Sequence, residues 1–420
     1  MDMKAARKTE RFSGETCAHW LAGRCNRNHC RFLHKETPLP SPEYHDAAGT
    51  HLYARQSHSF SENPPKYNSK KVSIKKIGGG GTNKAKNTQK SSRSICRYWM
   101  NSNCVRGDQC WNLHSWFDGD DGLSTLAKLQ EHKKAITGIT LPVGSDKLYS
   151  GSSDGTVRMW DCNTGKCANV IKLGAEVGCL ISEGPWVFVG VPNAVKAWNT
   201  QTAAEFVLNG PRGQVFAMIV ANDTLFAGAQ DGIISAWRGS FGTECPFELV
   251  ASLSGHTRAV VCLAVGGKML FSGSTDHSIK VWDVDTLQCT MTLNGHTDVV
   301  MSLICWDHFL LSCSLDGTVK VWVATEQGSL KVTYTHNEEH GVLALCGMTD
   351  ADAKPILFCS CNDNIVRAYD LPSFSQRVRL FAKKEVREIE IGPGGLFFTG
   401  DGSGLLMVWK WLAEPKMASS

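Results

Sequence analysis

From about residue 123 the chain consists of short apolar runs separated by Gly, Asp, Ser and Asn, the texture of strands and tight turns. An aromatic beat recurs through this stretch at Trp160, Trp198, Trp237, Trp282, Trp322, Tyr369 and Trp409, spaced by 38, 39, 45, 40, 47 and 40 residues. Five of the seven beats follow an Asp by six residues: Asp154, Asp231, Asp276, Asp316 and Asp363. Each beat closes a strand-like run, as in Ser278-Ile279-Lys280-Val281-Trp282. Gly-His pairs open the fourth and fifth units at Gly255-His256 and Gly295-His296. A period near 40 residues predicts a repeat architecture, because one such unit cannot bury its own apolar faces.

The period, the Trp-Asp endings and the Gly-His openings together resemble the WD40 repeat family. The resemblance implies an all-β, seven-bladed propeller over residues 123–411, four antiparallel strands to a blade. It also implies that Leu126–Gln130 completes the last blade and so closes the ring. Three units match the family's buried chain of His, Ser, Asp and Trp: His132, Ser150, Asp154, Trp160; His256, Ser272, Asp276, Trp282; His296, Ser312, Asp316, Trp322. A His–Ser–Asp group invites a hydrolase reading. Repetition and an indole donor at the end of each chain favour a structural role instead, satisfying buried polar groups and locking loops. Unit two departs from the pattern, with Pro192 in the Asp position and no opening His; unit three opens with Arg212, and unit seven has Ser403 in the Asp position. His336, His340 and Cys346 read as loop residues and a core thiol, and Cys359-x-Cys361 as two buried side chains on one strand face.

The amino-terminal third has another character. Residues 1–116 carry 20 Lys and Arg against 8 Asp and Glu, a charge of +12; the remainder carries 24 against 32, a charge of −8. A basic arm on an acidic body points to a polyanionic partner. Residues 38–91 are rich in Ser, Asn, Lys, Pro and Gly with few apolar positions, and read as a disordered basic linker. Within it Ser69–Lys76 reads as a nuclear import signal or as plain solvated linker; the nucleus is favoured over the cytoplasm. The Cys count of 17 is odd, the first fifteen residues are polar, and no run reaches the ~18 apolar residues of a membrane span. The expectation is a reduced, intracellular, soluble protein, read as a monomer.

Two cysteine–histidine clusters carry the chemistry. The first is Cys17-x7-Cys25-x4-Cys30-x3-His34 and the second Cys96-x7-Cys104-x5-Cys110-x3-His114. Three thiolates and an imidazole suit a closed tetrahedral zinc site, Zn–S ~2.3 Å and Zn–N ~2.0 Å, with no position left for a catalytic water. Two structural zinc ions are expected, one per cluster, in fingers over 11–37 and 92–117.

The spacing resembles the CCCH zinc fingers of the tristetraprolin type, which read single-stranded RNA by base-edge contacts and aromatic stacking. Carried over by position, the resemblance implies nucleic-acid contacts at Trp20, Arg27, Arg31 and Phe32 in finger one, and at Arg97, Trp99, Arg106 and Trp111 in finger two. Arg27 and Arg106 stand where the family commonly has an aromatic, and a guanidinium plane also stacks on a base. The whole order, finger, linker, finger, propeller, resembles the plant CCCH-finger/WD40 proteins of the ZFWD family. The reading is therefore a non-enzymatic adaptor, its fingers on RNA, single strands favoured, and its propeller on a protein partner of unknown identity. A DNA-binding regulator and a protein-only scaffold are the alternatives. A cullin-type receptor is disfavoured because no unit carries Trp-Asp-x-Arg.

Overall fold

The computed structural model describes residues 94–119, 122–239, 246–326, 328–350 and 352–411. The linker 38–91 and finger one lie outside the described residues, as do Ser92 and Arg93 of finger two.

The strands form six antiparallel sheets in chain order around a ring. Sheet one holds Ile136–Thr140, Lys147–Ser152, Thr156–Asp161 and Cys167–Lys172. Sheet two holds Cys179–Glu183, Trp186–Asn199, Glu205–Ala221, Thr224–Ala229, Ile234–Gly239 and Phe247–Leu253. Sheet three runs Val260–Gly266, Met269–Ser274, Ile279–Asp283 and Cys289–Leu293; sheet four runs Val300–Trp306, Phe309–Ser314, Thr318–Ala324 and Leu330–Asn337. Sheet five has Val342–Thr349, Pro355–Cys361, Ile365–Asp370 and Ser375–Phe381, with the two-residue strand Phe117–Asp118 on its edge. Sheet six has Val386–Ile391, Leu396–Asp401 and Leu405–Trp411, and is completed by Leu123–Gln130 from the other end of the propeller.

Seven blades are corrected to six sheets. Units two and three share one six-stranded sheet, because Glu205–Ala221 pairs with Trp186–Asn199 over its first part (Ala194↔Asn209, Trp198↔Glu205) and with Thr224–Ala229 over its second (Ala221↔Thr224). Unit two has Pro192 where other units have Asp, so no carboxylate gathers loop N–H groups there. The backbone pairs with the adjoining strand instead (Pro192↔Gln214).

The core lies between sheets. Trp282 of sheet three packs with Ile219, Phe226 and Ile234 of sheet two, and Trp322 of sheet four with Phe271 and Val281 of sheet three. Trp160, Ile136 and Ile139 of sheet one meet Leu129, Phe398 and Leu406 of sheet six, which closes the ring. The turn at Gly404 (φ +83°) presses on the next sheet, and a Cβ there would lie 2.4 Å from the His132 carbonyl oxygen.

Three polar chains lock successive turns. His132 Nδ1 is 3.1 Å from Asp154 Oδ2, its Nε2 is 2.8 Å from Ser150 Oγ, and Trp160 Nε1 donates to the same Oγ at 2.8 Å. His256, Asp276, Ser272 and Trp282 repeat this at 2.9, 2.7 and 2.8 Å, as do His296, Asp316, Ser312 and Trp322. Each Asp also accepts a backbone N–H from the residue after its His: Lys133, Thr257 and Thr297. Burial alone would raise these carboxyls. For Asp154 the Thr156 hydroxyl, the Lys133 N–H and His132 outweigh it and hold the group down at about 2; Asp276 and Asp316 are lowered likewise. Burial holds His132 and His296 below the ordinary 6.5, although their Asp partners pull upward.

Acid should therefore destabilise the propeller in two windows. Below pH ~6.5 the unfolded chain protonates these histidines before the folded one does, so stability falls as pH drops. Below pH ~4 the unfolded carboxyls protonate first, and the stability of the bonded aspartates is lost as pH falls towards their folded values. Urea midpoints at pH 7, 5 and 3 would show this as a steady decline. A midpoint unchanged between pH 7 and 5 would remove the histidine part.

Candidate metal centre

The second cluster is built from short local elements. Cys96 caps the short helix Arg97–Met100, and the Trp99 N–H donates to its Sγ at 3.4 Å. The Cys96 N–H donates to the Leu113 carbonyl at 2.9 Å, beside a parallel bridge Ile95↔Leu113 that draws both ends of the module together. Cys104 sits in the intervening loop. Cys110 follows the 3-10 turn Gly107–Gln109, its N–H donating to the Gly107 carbonyl at 3.2 Å.

This folding brings Cys96, Cys104 and Cys110 Sγ and a His114 ring nitrogen within 4.8 Å of one another. Tetrahedral zinc with bonds of ~2.3 Å needs sulfurs ~3.8 Å apart, so the set fits with little adjustment. His114 Nε2 is buried without a hydrogen-bond partner, which a metal bond would answer. Burial opposes ionisation of Cys96, yet the Trp99 N–H, His114 and the two other thiols hold it down at about 7 against an ordinary 9.0. A thiol so poised is readily metallated. With all four donors spent on the ion, a bound zinc would organise the fold and activate no water.

The module is joined to the propeller. Trp116 and Met100, 7% and 8% exposed, belong to one core with Leu380, Leu123, Trp409 and Trp411 of sheets five and six. The Phe381 N–H donates to the Trp116 carbonyl at 2.8 Å. Phe117 pairs with Leu380, and Asp118 with Arg379 by an ion pair. Lys128 Nζ lies 4.6 Å over the Trp116 ring. The second cluster is thus packed on the propeller and shares its core.

The expected nucleic-acid residues separate accordingly. Arg97 and Arg106 are exposed, and Trp111 is 85% exposed. Trp99 is half-buried, stacked on His114 (5.6 Å, 12°), tilted against Trp116 at 5.5 Å and approached by Lys128 at 5.9 Å. Its ring covers the His114 side of the metal site and is less open than that of Trp111. Tyr98, 72% exposed, went unnoticed in the sequence. Neighbours on a helix point about 100° apart, so a buried Trp99 turns Tyr98 outward. Cys17, Cys25, Cys30, His34, Trp20, Arg27, Arg31 and Phe32 lie outside the described residues.

Comparison with known proteins agrees with both halves. The family model "WD domain, G-beta repeat" matches residues 123–161, 247–283 and 287–323. The chain is similar to zinc finger CCCH domain-containing protein 17 of Oryza sativa subsp. japonica, 54% identical over 413 residues, covering 96% of this chain and 92% of the relative. Zinc finger CCCH domain-containing proteins 48 and 63 of Arabidopsis thaliana are 54% and 53% identical, covering 97% and 96% of this chain and 94% and 92% of their own lengths.

Proposed function

The chain belongs to the plant CCCH zinc-finger proteins with WD40 repeats, and on that premise we propose that it is a zinc-dependent, non-enzymatic adaptor. Its fingers bind nucleic acid, single-stranded RNA by preference, and its propeller holds a protein partner. In this reading the protein carries two structural zinc ions, works as a monomer and resides mainly in the nucleus.

The observation that carries the RNA assignment is the pair of rings Tyr98 and Trp111, left open on a module whose other aromatics, Trp99, Trp116 and Phe117, pack against the propeller core. Exposed Arg97 and Arg106 accompany them. A base stacked on such a ring contributes ~1–3 kcal/mol and must be free of its Watson–Crick partner. Absence of catalysis is supported by the polar chains. Ser150, Ser272 and Ser312 are fully buried, each Oγ bonded to both an imidazole and an indole, so none is presented to a substrate.

The test is competition between single-stranded RNA and duplex DNA of equal length for the zinc-loaded full chain. The RNA is expected to win. Tyr98→Ala or Trp111→Ala should weaken RNA by roughly 5- to 150-fold, the range of one lost stacking contact, and leave the salt dependence nearly unchanged. A preference for the duplex would establish the DNA-binding regulator instead. Binding to neither would leave the protein-only scaffold.

A further inference from the structure

Finger two as docked lacks the charge that its presumed ligand demands. Residues 94–119 hold Arg97 and Arg106 against Asp108 and Asp118, so the module is neutral, and three thiolates around a divalent ion would make it −1. It offers rings for bases and little for phosphates. Affinity for nucleic acid comes largely from phosphate neutralisation.

The missing charge stands beside it on the propeller. Lys128, exposed on the outer strand of sheet six, is 4.6 Å from the Trp116 ring and 5.9 Å from Trp99, the chain neighbour of Tyr98. Burial and the nearby charge of Lys383 both lower the Lys128 pKa, so the two ammonium groups are close enough to repel. Lys383 Nζ donates to Gln130 Oε1 at 3.2 Å, on the same strand as Lys128, and exposed Lys384 follows it. Among the described residues, three carboxylates of these segments are engaged. Asp118 pairs with Arg379, and Glu385 with Arg387. Asp401 is 2% exposed and spent on the Lys383 and Lys384 N–H groups at 3.2 and 3.4 Å, fixing the loop that presents the two side chains. Like charges gathered beside the docked module are relieved by an anion.

We propose that Lys128, Lys383 and Lys384 complete the nucleic-acid site of finger two, so that phosphates of a single-stranded RNA are held by the propeller while its bases stack on Tyr98 and Trp111. This rests on the RNA reading above and extends it: the propeller is part of the RNA-binding surface as well as a protein platform. A neutral ring stacking on bases and an ammonium binding phosphates separate the two contributions experimentally, because only the second releases counterions.

The experiment uses the zinc-loaded full chain and a labelled single-stranded RNA pool of random sequence, titrated between 50 and 200 mM salt. The variant Lys128→Gln/Lys383→Gln/Lys384→Gln should bind about tenfold more weakly, with a salt slope shallower by about 2, since each phosphate contact in a single strand contributes ~0.7. Lys128 also covers Trp116, so Lys383→Gln/Lys384→Gln provides a second variant that leaves the docking rings untouched; it should retain two-thirds of the slope change. A control of equal charge, Lys166→Gln/Lys172→Gln/Lys331→Gln, with Lys166 just before the strand Cys167–Lys172 of sheet one and Lys331 on sheet four, should change neither quantity. If the control matches the triple variant, or if neither differs from the parent, the proposal is overturned while RNA binding by the finger stands. A parent chain that binds no RNA overturns the functional reading itself, and is seen before any variant is compared.

Discussion

Replacing Cys104 by Ser, or removing zinc with a chelator, should destabilise the propeller and not merely unfold a small appendage. A structural zinc site and the fold around it form together, so losing one ligand releases the Cys96–His114 loops. Those loops hold Trp116 and Met100 in the core shared by sheets five and six, and Trp116 supplies the carbonyl that accepts from the Phe381 N–H at 2.8 Å. Losing a buried Trp from a core costs about 3–5 kcal/mol, and the edge strand Phe117–Asp118 goes with it. The location magnifies the effect. Sheet six is the closing sheet, completed by Leu123–Gln130, which begins a few residues after the module ends. Undocking exposes Leu123, paired with Trp411 at the end of that seam. The expected result is a propeller transition several degrees lower, with faster amide exchange in Ser375–Phe381 and Leu405–Trp411 and none in Ile279–Asp283. Val105→Ala, at a side chain 97% exposed on the same module, should leave the transition in place. An unmoved transition in Cys104→Ser would show that the docked core contributes nothing to the ring.

What the sequence disclosed and what it hid follow from range. The polar chains were legible because their spacing is a consequence of hairpin register. Ser150 and Leu148 share a strand face, Leu148 pairs with Trp160, and the indole therefore reaches the Ser150 hydroxyl ten residues back. The second cysteine–histidine cluster was legible because its members lie within nineteen residues and differ in chemistry from their surroundings. The partial burial of Trp99 was hidden because it is decided by Lys128 and Trp116, and no local pattern encodes that contact. Unit two was counted as a blade because its length is right. The loss of Asp at Pro192, visible in the sequence, was the sign that its strands would merge with the next unit's. Unit six hid a substitute network. Tyr369 Oη donates to Glu338 Oε1 at 2.5 Å and Arg367 bridges to Asp363 at 2.6 Å, so a tyrosine and an ion pair stand where His, Ser and Trp stand elsewhere.

Asp401→Ala should prove one of the costlier single changes in the propeller, and Ser403→Ala a mild one. By sequence position Ser403 is unit seven's counterpart of Asp154, Asp276 and Asp316, which makes that unit appear unlocked. The Thr399–Trp409 pair keeps the ten-residue spacing, with Trp409 Nε1 donating to Thr399 Oγ1 at 2.9 Å. The carboxylate has moved two residues earlier. Asp401 Oδ2 accepts the N–H groups of Lys383 and Lys384, and Oδ1 accepts those of Ser403 at 2.8 Å and Leu405 at 3.1 Å, with the Ser403 hydroxyl at 2.6 Å. Asp276 does the same work from its own position, receiving Thr257, Ser278 and His256. Hydrogen bonds to a charged group contribute about 1.5–3 kcal/mol each, and unsatisfied buried donors add to the loss. Asp401→Ala should therefore cost about 3 kcal/mol or more, at least as much as Asp276→Ala, and Ser403→Ala about 1 kcal/mol or less. Urea titration of the three variants decides the matter. Equal losses at 401 and 403 would mean that the displaced carboxylate does not lock the closing sheet, and a full loss at 403 alone would restore the position that the repeat spacing implies.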